Sequence, residues 1–196
     1  MKHIIKFILW LATPILKWLS PIGMSHLNID LPEGFYEDLV SRLRPCDVLL
    51  TNTPVEATNV INVGKWNHAT LYIGKVDGIP MIREAVGVGV VERSLFDFLK
   101  SKNELSLKRN THLDRWDKYR VLHRSEEMLG WGYNWAFEWG STSIVYCSQY
   151  IYRSMIRQMY LMGKQLKTSS TMGMTFYKPN DIDKDPAFTT ILETRY

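Results

Sequence analysis

The stretch IVYCSQYIY, Ile144–Tyr152, places a cysteine where a loop changes into a helix. From Cys147 onward, apolar residues recur every three or four positions, at Ile151, Met155, Met159 and Met162. This spacing predicts one buried face of a helix, with the cysteine in its first turn. A thiol there faces unpaired N–H groups and the positive end of the helix dipole, which favour the thiolate. Cys147 is therefore either a buried, inert side chain or a nucleophile, depending on what the fold brings to it.

A nucleophilic thiolate needs an imidazole base, and the base needs an acceptor that orients it. His68 begins the predicted strand HATLYIGKV, and Glu84 lies in the next predicted strand, after an Asp-Gly turn at 77–78. A two-residue turn sets Glu84 opposite Leu71, on the wrong face for His68, whereas a three-residue turn sets it opposite Thr70, on the same face. The sequence leaves both registers open. Taken singly, the histidine reads as a satisfied buried residue and the glutamate as a solvent-facing carboxylate.

The order of the other predicted elements indicates the fold class. A helix (FYEDLVSRL) precedes a strand (CDVLLTN), and two further strands (IPMIREAVG and VGVVERS) follow the HATLYIGKV strand. A serine-capped helix (SLFDFLKS), a short strand (KYRVLHR) and the irregular segment GWGYNWAFEWG precede the helix of Cys147. Consecutive hairpin strands and a long late helix predict an α+β fold, in which a small antiparallel sheet packs on the Cys147 helix.

Composition excludes several classes of function. The chain has 196 residues, 45% hydrophobic and 22% charged, which suits one globular core. Its net charge of +4 contains no Lys/Arg block of the kind that binds nucleic acid, so no nucleic-acid partner is expected. Two cysteines and five histidines without paired spacing give neither a disulfide framework nor a zinc motif. We therefore expect no metal and no cofactor.

Residues 1–30 form an apolar, basic arm and linker, and the domain is expected to cover 31–196. Lys6 and Lys17 confine the uncharged run to ten residues, which is too short for a transmembrane helix. On a helix, Lys2, Lys6 and Lys17 fall on one stripe, which predicts that residues 1–20 lie in a membrane surface. A signal sequence and a helix packed on protein are the alternatives. The protein is accordingly expected to be membrane-associated or exported.

Six motifs, taken in order, resemble a known family. They are RPCDVLLTN, WNHATLYIG, IREAVGVGVVERSLFDFL, YNWAF, VYCSQYIYRSM and KPNDIDKDPAF. The set spans Arg44 to Phe188 and resembles the permuted papain-like amidase/peptidase family of the YaeF/YiiX type, in the NlpC-like superfamily. The resemblance implies a circularly permuted papain-like fold in which His68 is the base, Glu84 the orienting residue and Cys147 the nucleophile.

The function implied by this resemblance is a cysteine hydrolase that cleaves an amide, peptide or related acyl bond through a thioacyl-enzyme, with the Cys147 backbone N–H as an oxyanion donor. Because the superfamily includes lipid acyltransferases as well as peptidases, a lipid-directed acyltransferase or lipase at a membrane surface is an alternative. The arm favours it, as do the aromatic residues Trp131, Trp135, Phe137 and Trp139. A non-catalytic membrane-bound module is a second alternative.

One position departs from the family pattern. Family members usually carry Gly-Asp at the first strand, where this chain has Cys46 and Asp47. Cys46 is either a harmless packing change or, in an oxidising compartment, a disulfide partner that would silence Cys147.

Overall fold

The computed structural model describes residues 31–52, 64–171 and 174–195, together with Pro14. Its strands are β1 (Val48–Asn52), β2 (His68–Val76), β3 (Ile79–Val86), β4 (Gly89–Ser94), β5 (Glu104–Asn110), β6 (Gly132–Tyr133), β7 (Ile144–Val145), β8 (Ser169–Thr171), β9 (Met174–Phe176) and β10 (Phe188–Arg195). Its helices are α1 (Phe35–Arg42), α2 (Leu95–Leu99), α3 (Arg115–Glu126), α4 (Cys147–Leu161) and α5 (Pro179–Lys184).

Six of these strands form one antiparallel sheet in the order β10-β5-β1-β2-β3-β4. Side chains alternate between its two faces, as the pleat of a strand requires. Val48 and Leu50 belong to the core that includes Ile151 of α4, whereas Leu49 belongs to a second core with Phe98 of α2. This arrangement confirms the predicted α+β class and the antiparallel sheet packed on the cysteine helix.

Helix α4 has the buried face that its sequence predicts. Cys147, Ile151, Met155 and Met159 are all at most 3% exposed. Met162 is the C-terminal cap and is only partly buried against the same core. The cysteine is therefore the first residue of the helix and lies at the end of its buried stripe.

Residues of the predicted strand KYRVLHR lie instead within helix α3, so that prediction was wrong. Asp114 caps the helix by accepting a 2.7 Å hydrogen bond from the Asp117 backbone N–H. Val121 and Ser125, four positions apart, are the buried positions of the helix. The cap and this helical spacing outweigh the β propensity of the tyrosine and valine side chains.

Strands β5 and β10 had no counterpart among the predicted elements. Strand β5 pairs with both β1 and β10, so these two strands extend the sheet on the side away from the β2–β3 hairpin. The predicted arm over residues 1–30 lies outside the described residues, except for Pro14. Within the described ranges, no helix has the length and apolar character needed to cross a bilayer.

Candidate active site

The β2–β3 hairpin sets the register between His68 and Glu84. Its turn has two residues, Asp77 with φ 51° and Gly78 with φ 81°, the pair of positive φ angles of a type I′ turn. A bulge at Ile73 then shifts the pairing by one residue, since Val76 pairs with Ile79 but Leu71 pairs with Arg83. Continuing this register sets Glu84 beside Thr70, on the His68 face of the sheet. The turn therefore has two residues rather than three. The bulge nevertheless produces the Glu84–Thr70 pairing that a three-residue turn would have given.

His68 and Glu84 make a direct buried contact. The His68 Nε2 atom lies 2.5 Å from Glu84 Oε2, and the two residues are 5% and 0% exposed. At this distance in a water-excluded environment the carboxylate fixes both the ring orientation and the tautomer of the imidazole. Because Glu84 occupies Nε2, Nδ1 is the ring nitrogen left for another partner.

Cys147 provides that partner. His68 is the first residue of β2 and Cys147 is the first residue of α4, so the two side chains meet where their elements begin. Burial alone would lower the pKa of the His68 imidazole, but its hydrogen bonds to Cys147 and Glu84 outweigh burial and raise the pKa to about 10. The site therefore favours an imidazolium held between a sulfur and a carboxylate.

Two cations stabilise the Glu84 carboxylate. Arg93 Nε lies 2.5 Å from Glu84 Oε1, as an ion pair without hydrogen-bond alignment. Lys102, only 4% exposed, contributes a further positive charge. Burial would raise the pKa of the Glu84 carboxyl, but its contacts with His68 and the charges of Arg93 and Lys102 lower it to about 2. Glu84 is therefore a carboxylate at neutral pH although it is fully buried.

Arg93 could have been identified from the sequence by its position on the strand beside Glu84. Strand β4 pairs Val91 with Glu84, which places Arg93 two residues further along β4 and diagonal to Glu84 on the same face. Lys102 follows helix α2 and reaches the site only through the tertiary fold, so the sequence carries no comparable signal for it.

An amide network holds the start of α4. Asn134 Nδ2 donates to Gln149 Oε1 at 3.0 Å and to the Glu138 carbonyl at 2.7 Å. Gln149 Nε2 donates to the carbonyls of Glu138 and Trp139, each at 3.2 Å. These bonds fasten the aromatic loop to the helical turn that begins with Cys147. Asn134 belongs to the motif YNWAF and Gln149 to the motif VYCSQYIYRSM, so these hydrogen bonds give both amide residues a structural role.

The carboxy-terminal motif KPNDIDKDPAF fixes the segment before His68. Asn180 accepts a 3.1 Å hydrogen bond from the Trp66 N–H and donates a 2.8 Å hydrogen bond to the Trp66 carbonyl. A Cβ on Gly64 would lie 2.4 Å from the Asn180 side chain, so only glycine fits beside this contact. The motif thus sets the backbone two residues before the candidate base.

Cys46 is separated from this chemistry by its own contacts. Its thiol donates to the Lys118 carbonyl at 3.4 Å, and burial raises its pKa to about 12. Its φ angle of 72° lies in the left-handed region, which explains why glycine is favoured at this position. Both Cys46 and Cys147 are free thiols in the structure.

A sheet that carries a buried histidine–glutamate pair, packed on a helix that begins with a cysteine, defines a papain-like fold with permuted chain order, a class of cysteine-type hydrolases. This chain belongs to the family of permuted papain-like amidase enzymes, YaeF/YiiX, whose family model matches residues 42–192.

A solved structure supports the fold. The chain is similar to yiiX from Escherichia coli O157:H7, described as a metalloprotein, with 16% identity and a TM-score of 0.66 over 79% of this chain and 99% of that chain. In the ranges that the structure describes here, no group of three or more His, Cys, Asp or Glu side chains could hold a metal ion. No curated protein sequence matched the chain.

Proposed function

We propose that this chain is a thiol amidase or peptidase in which Cys147 is the nucleophile, His68 the base and Glu84 the residue that orients the base. The observation that carries the proposal is the continuous buried chain of contacts from the Glu84 carboxylate through His68 to the Cys147 thiol. Membership of a family of papain-like amidases supports the same reaction class.

The first half of the reaction forms an acyl-enzyme. The thiol proton already resides on His68 Nδ1 in the resting site, and the Cys147 sulfur attacks the substrate carbonyl carbon. The resulting oxyanion lies near the first turn of α4, where the Cys147 backbone N–H is free to donate because it has no partner within the helix. The C–N bond then breaks, and the imidazolium gives its proton to the departing amine. The product on the enzyme is a thioester at Cys147.

The second half releases the acid. A water molecule attacks the thioester carbon while His68 removes one of its protons, and the C–S bond breaks. The proton taken from water stays on His68 beside the released sulfur, so the enzyme regains the imidazolium with which it started. Glu84 remains ionised throughout, because its contact with His68 and the charges of Arg93 and Lys102 stabilise the carboxylate.

A substrate screen tests this proposal. N-acyl amino acids, short peptides and a labelled phospholipid are incubated with the wild type, Cys147→Ala, His68→Ala and Cys46→Ala. We expect release of an amine from an amide or peptide, abolished by the first two substitutions and retained in Cys46→Ala. Acyl release from the phospholipid alone would favour the lipid-directed alternative. Full turnover by Cys147→Ala would refute the proposed nucleophile.

A further inference from the structure

Helices α3 and α4 lie side by side and enclose a groove of about 940 Å³. Four arginines line it, Arg120 and Arg124 from α3 and Arg153 and Arg157 from α4, against one carboxylate, that of Glu127. The groove lies toward the carboxy-terminal end of α4, whereas Cys147 begins that helix. The groove residues of α4 run from Arg153 to Leu161, six to fourteen residues from Cys147, which corresponds to about 9–21 Å along the helix. The groove is therefore distinct from the proposed active site.

The positive charge of the groove is only partly compensated. Arg124 pairs with Glu127 at 2.7 Å, and Arg120 lies 3.5 Å from a carboxylate oxygen of Asp117. Arg153 donates to the carbonyls of Trp139 and Ser141, which satisfy its N–H groups without neutralising its charge. Arg157 makes no ion-pair contact within 4.0 Å among the described residues, and its charge acts on Glu127, which Arg124 already pairs. Burial, followed by the charge of Arg124, lowers the pKa of Arg153, as expected for crowded cations.

Large apolar side chains of the same two helices project into solvent, and two of them, Tyr119 and Leu161, line the groove. Trp116 and Tyr119 lie three residues apart on α3 and are 67% and 64% exposed. Tyr160 and Leu161, at the end of α4, are 74% and 65% exposed. Tryptophan and tyrosine beside arginine are typical of the interface between headgroups and acyl chains, where rings insert and cations bind phosphate. Leu161 favours a lipid over a nucleic acid, because an aliphatic side chain gains by insertion between acyl chains and offers no ring for base stacking.

We propose that the α3–α4 groove docks the protein on an anionic lipid surface, with arginines on the headgroup phosphates and the exposed apolar side chains in the acyl boundary. This contact uses residues of the folded domain and is separate from any contact made by residues 1–20. Because the groove residues of α4 begin at Arg153, about two turns beyond the start of the helix, the lipid contact does not include Cys147 itself.

Vesicle flotation of the full chain tests the charged part. Vesicles contain phosphatidylcholine and phosphatidylglycerol in equal parts, or phosphatidylcholine alone. Two surface arginines contribute about 1 kcal/mol each near an anionic membrane, so Arg120→Gln/Arg157→Gln should weaken binding about thirtyfold. The matched control Lys75→Gln/Arg195→Gln removes two exposed charges elsewhere and should change binding less than about twofold. Equal loss in both double variants, no loss in either, or no binding by the wild type would overturn the proposal.

The apolar part has its own readout. In high salt the phosphate contacts are screened and insertion remains. We expect Leu161→Ser to lower this residual binding severalfold, whereas Val88→Ser, at a residue 76% exposed in the β3–β4 turn, should leave it unchanged. Equal effects of the two serine variants would overturn the proposal. A single-stranded oligonucleotide that binds through the same arginines, without vesicle binding, would assign the groove to nucleic acid instead.

Discussion

Glu84→Gln removes one charge from the candidate site and retains the shape of the side chain. Glu84 Oε2 lies 2.5 Å from His68 Nε2 in a fully buried position. A hydrogen bond to a charged partner is worth about 1.5–3 kcal/mol, and one pKa unit corresponds to about 1.4 kcal/mol. The substitution should therefore lower the pKa of His68 by about one to two units from its raised value near 10. A pKa of about 8–9 leaves His68 protonated at mildly acidic pH but half or less protonated at pH 9, so alkylation of Cys147 should slow by about two- to tenfold at that pH.

The assay is iodoacetamide labelling followed by peptide mass spectrometry, which needs no substrate and resolves the two cysteines. Cys46 is an internal control, because burial raises its pKa to about 12 and its thiol contacts the Lys118 carbonyl. In the wild type, Cys147 should react faster than Cys46, and His68→Ala should remove the difference. A Glu84→Gln protein that labels at the wild-type rate would show that another residue orients the base.

The same variant should show a characteristic pH dependence of stability. The folded-state pKa of His68 is raised from 6.5 to about 10, so its contribution is complete below pH 6.5 and is lost as pH rises through 10. The pKa of Glu84 is lowered from 4.5 to about 2, so its contribution is complete above pH 4.5 and is lost as pH falls toward 2. The difference in unfolding free energy between wild type and Glu84→Gln, measured in urea, should be largest between these two ordinary values. A difference independent of pH would contradict the assigned ionisation states.

Three further substitutions test the surroundings of the site. Cys46→Gly relieves a left-handed φ that costs about 1–2 kcal/mol, but it also removes a small buried side chain whose burial contributes a similar amount. The free energy of unfolding measured in urea should therefore change by less than about 1 kcal/mol. A larger change would show that one of these two effects dominates. Asp47→Ala removes the hydrogen bonds of 2.8 and 2.7 Å from the Arg109 guanidinium and leaves its 2.6 Å bond to the Arg42 carbonyl, so calorimetry should show a loss of about 3 kcal/mol, at the lower end for a broken buried pair. Wild-type stability would rule out a structural role for the pair. Arg93→Gln should slow alkylation of Cys147 severalfold, because the Glu84 carboxylate loses an ion pair. Arg195→Gln breaks only an exposed ion pair with Glu104 and should leave the alkylation rate unchanged. Equal rates in the two variants would show that Arg93 has no role in the site.

Local signals predicted the elements that carry the candidate residues. The β2 strand has the bounds that its sequence pattern indicates, and the Asp77-Gly78 dipeptide forms the expected turn. Ser94 caps α2 by accepting a 3.1 Å hydrogen bond from the Asp97 N–H. These features depend on side chains within a few residues of one another, which a sequence displays directly.

Features that depend on distant neighbours could not be predicted. The bulge at Ile73 shifts the His68–Glu84 register, and it adjoins hydrogen bonds from the Cys46 N–H to the Tyr72 carbonyl at 2.9 Å and from the Tyr72 N–H to the Asp47 carbonyl at 2.8 Å. Such contacts join segments more than twenty residues apart, so the local pattern of β2 does not contain them. The effect of the Lys102 charge on the Glu84 carboxylate also joins residues distant in sequence, so it could not be predicted either.

The most direct test of the proposed mechanism is intact-mass detection of a thioacyl-enzyme. The wild-type protein is mixed with an activated acyl ester, quenched in acid and digested to locate the adduct. The mechanism predicts one acyl group on Cys147, retained in Cys46→Ala, absent in Cys147→Ala and lost slowly as water hydrolyses the thioester. An adduct on Cys46 or on a lysine, with Cys147 unmodified, would contradict the assignment of Cys147 as the nucleophile.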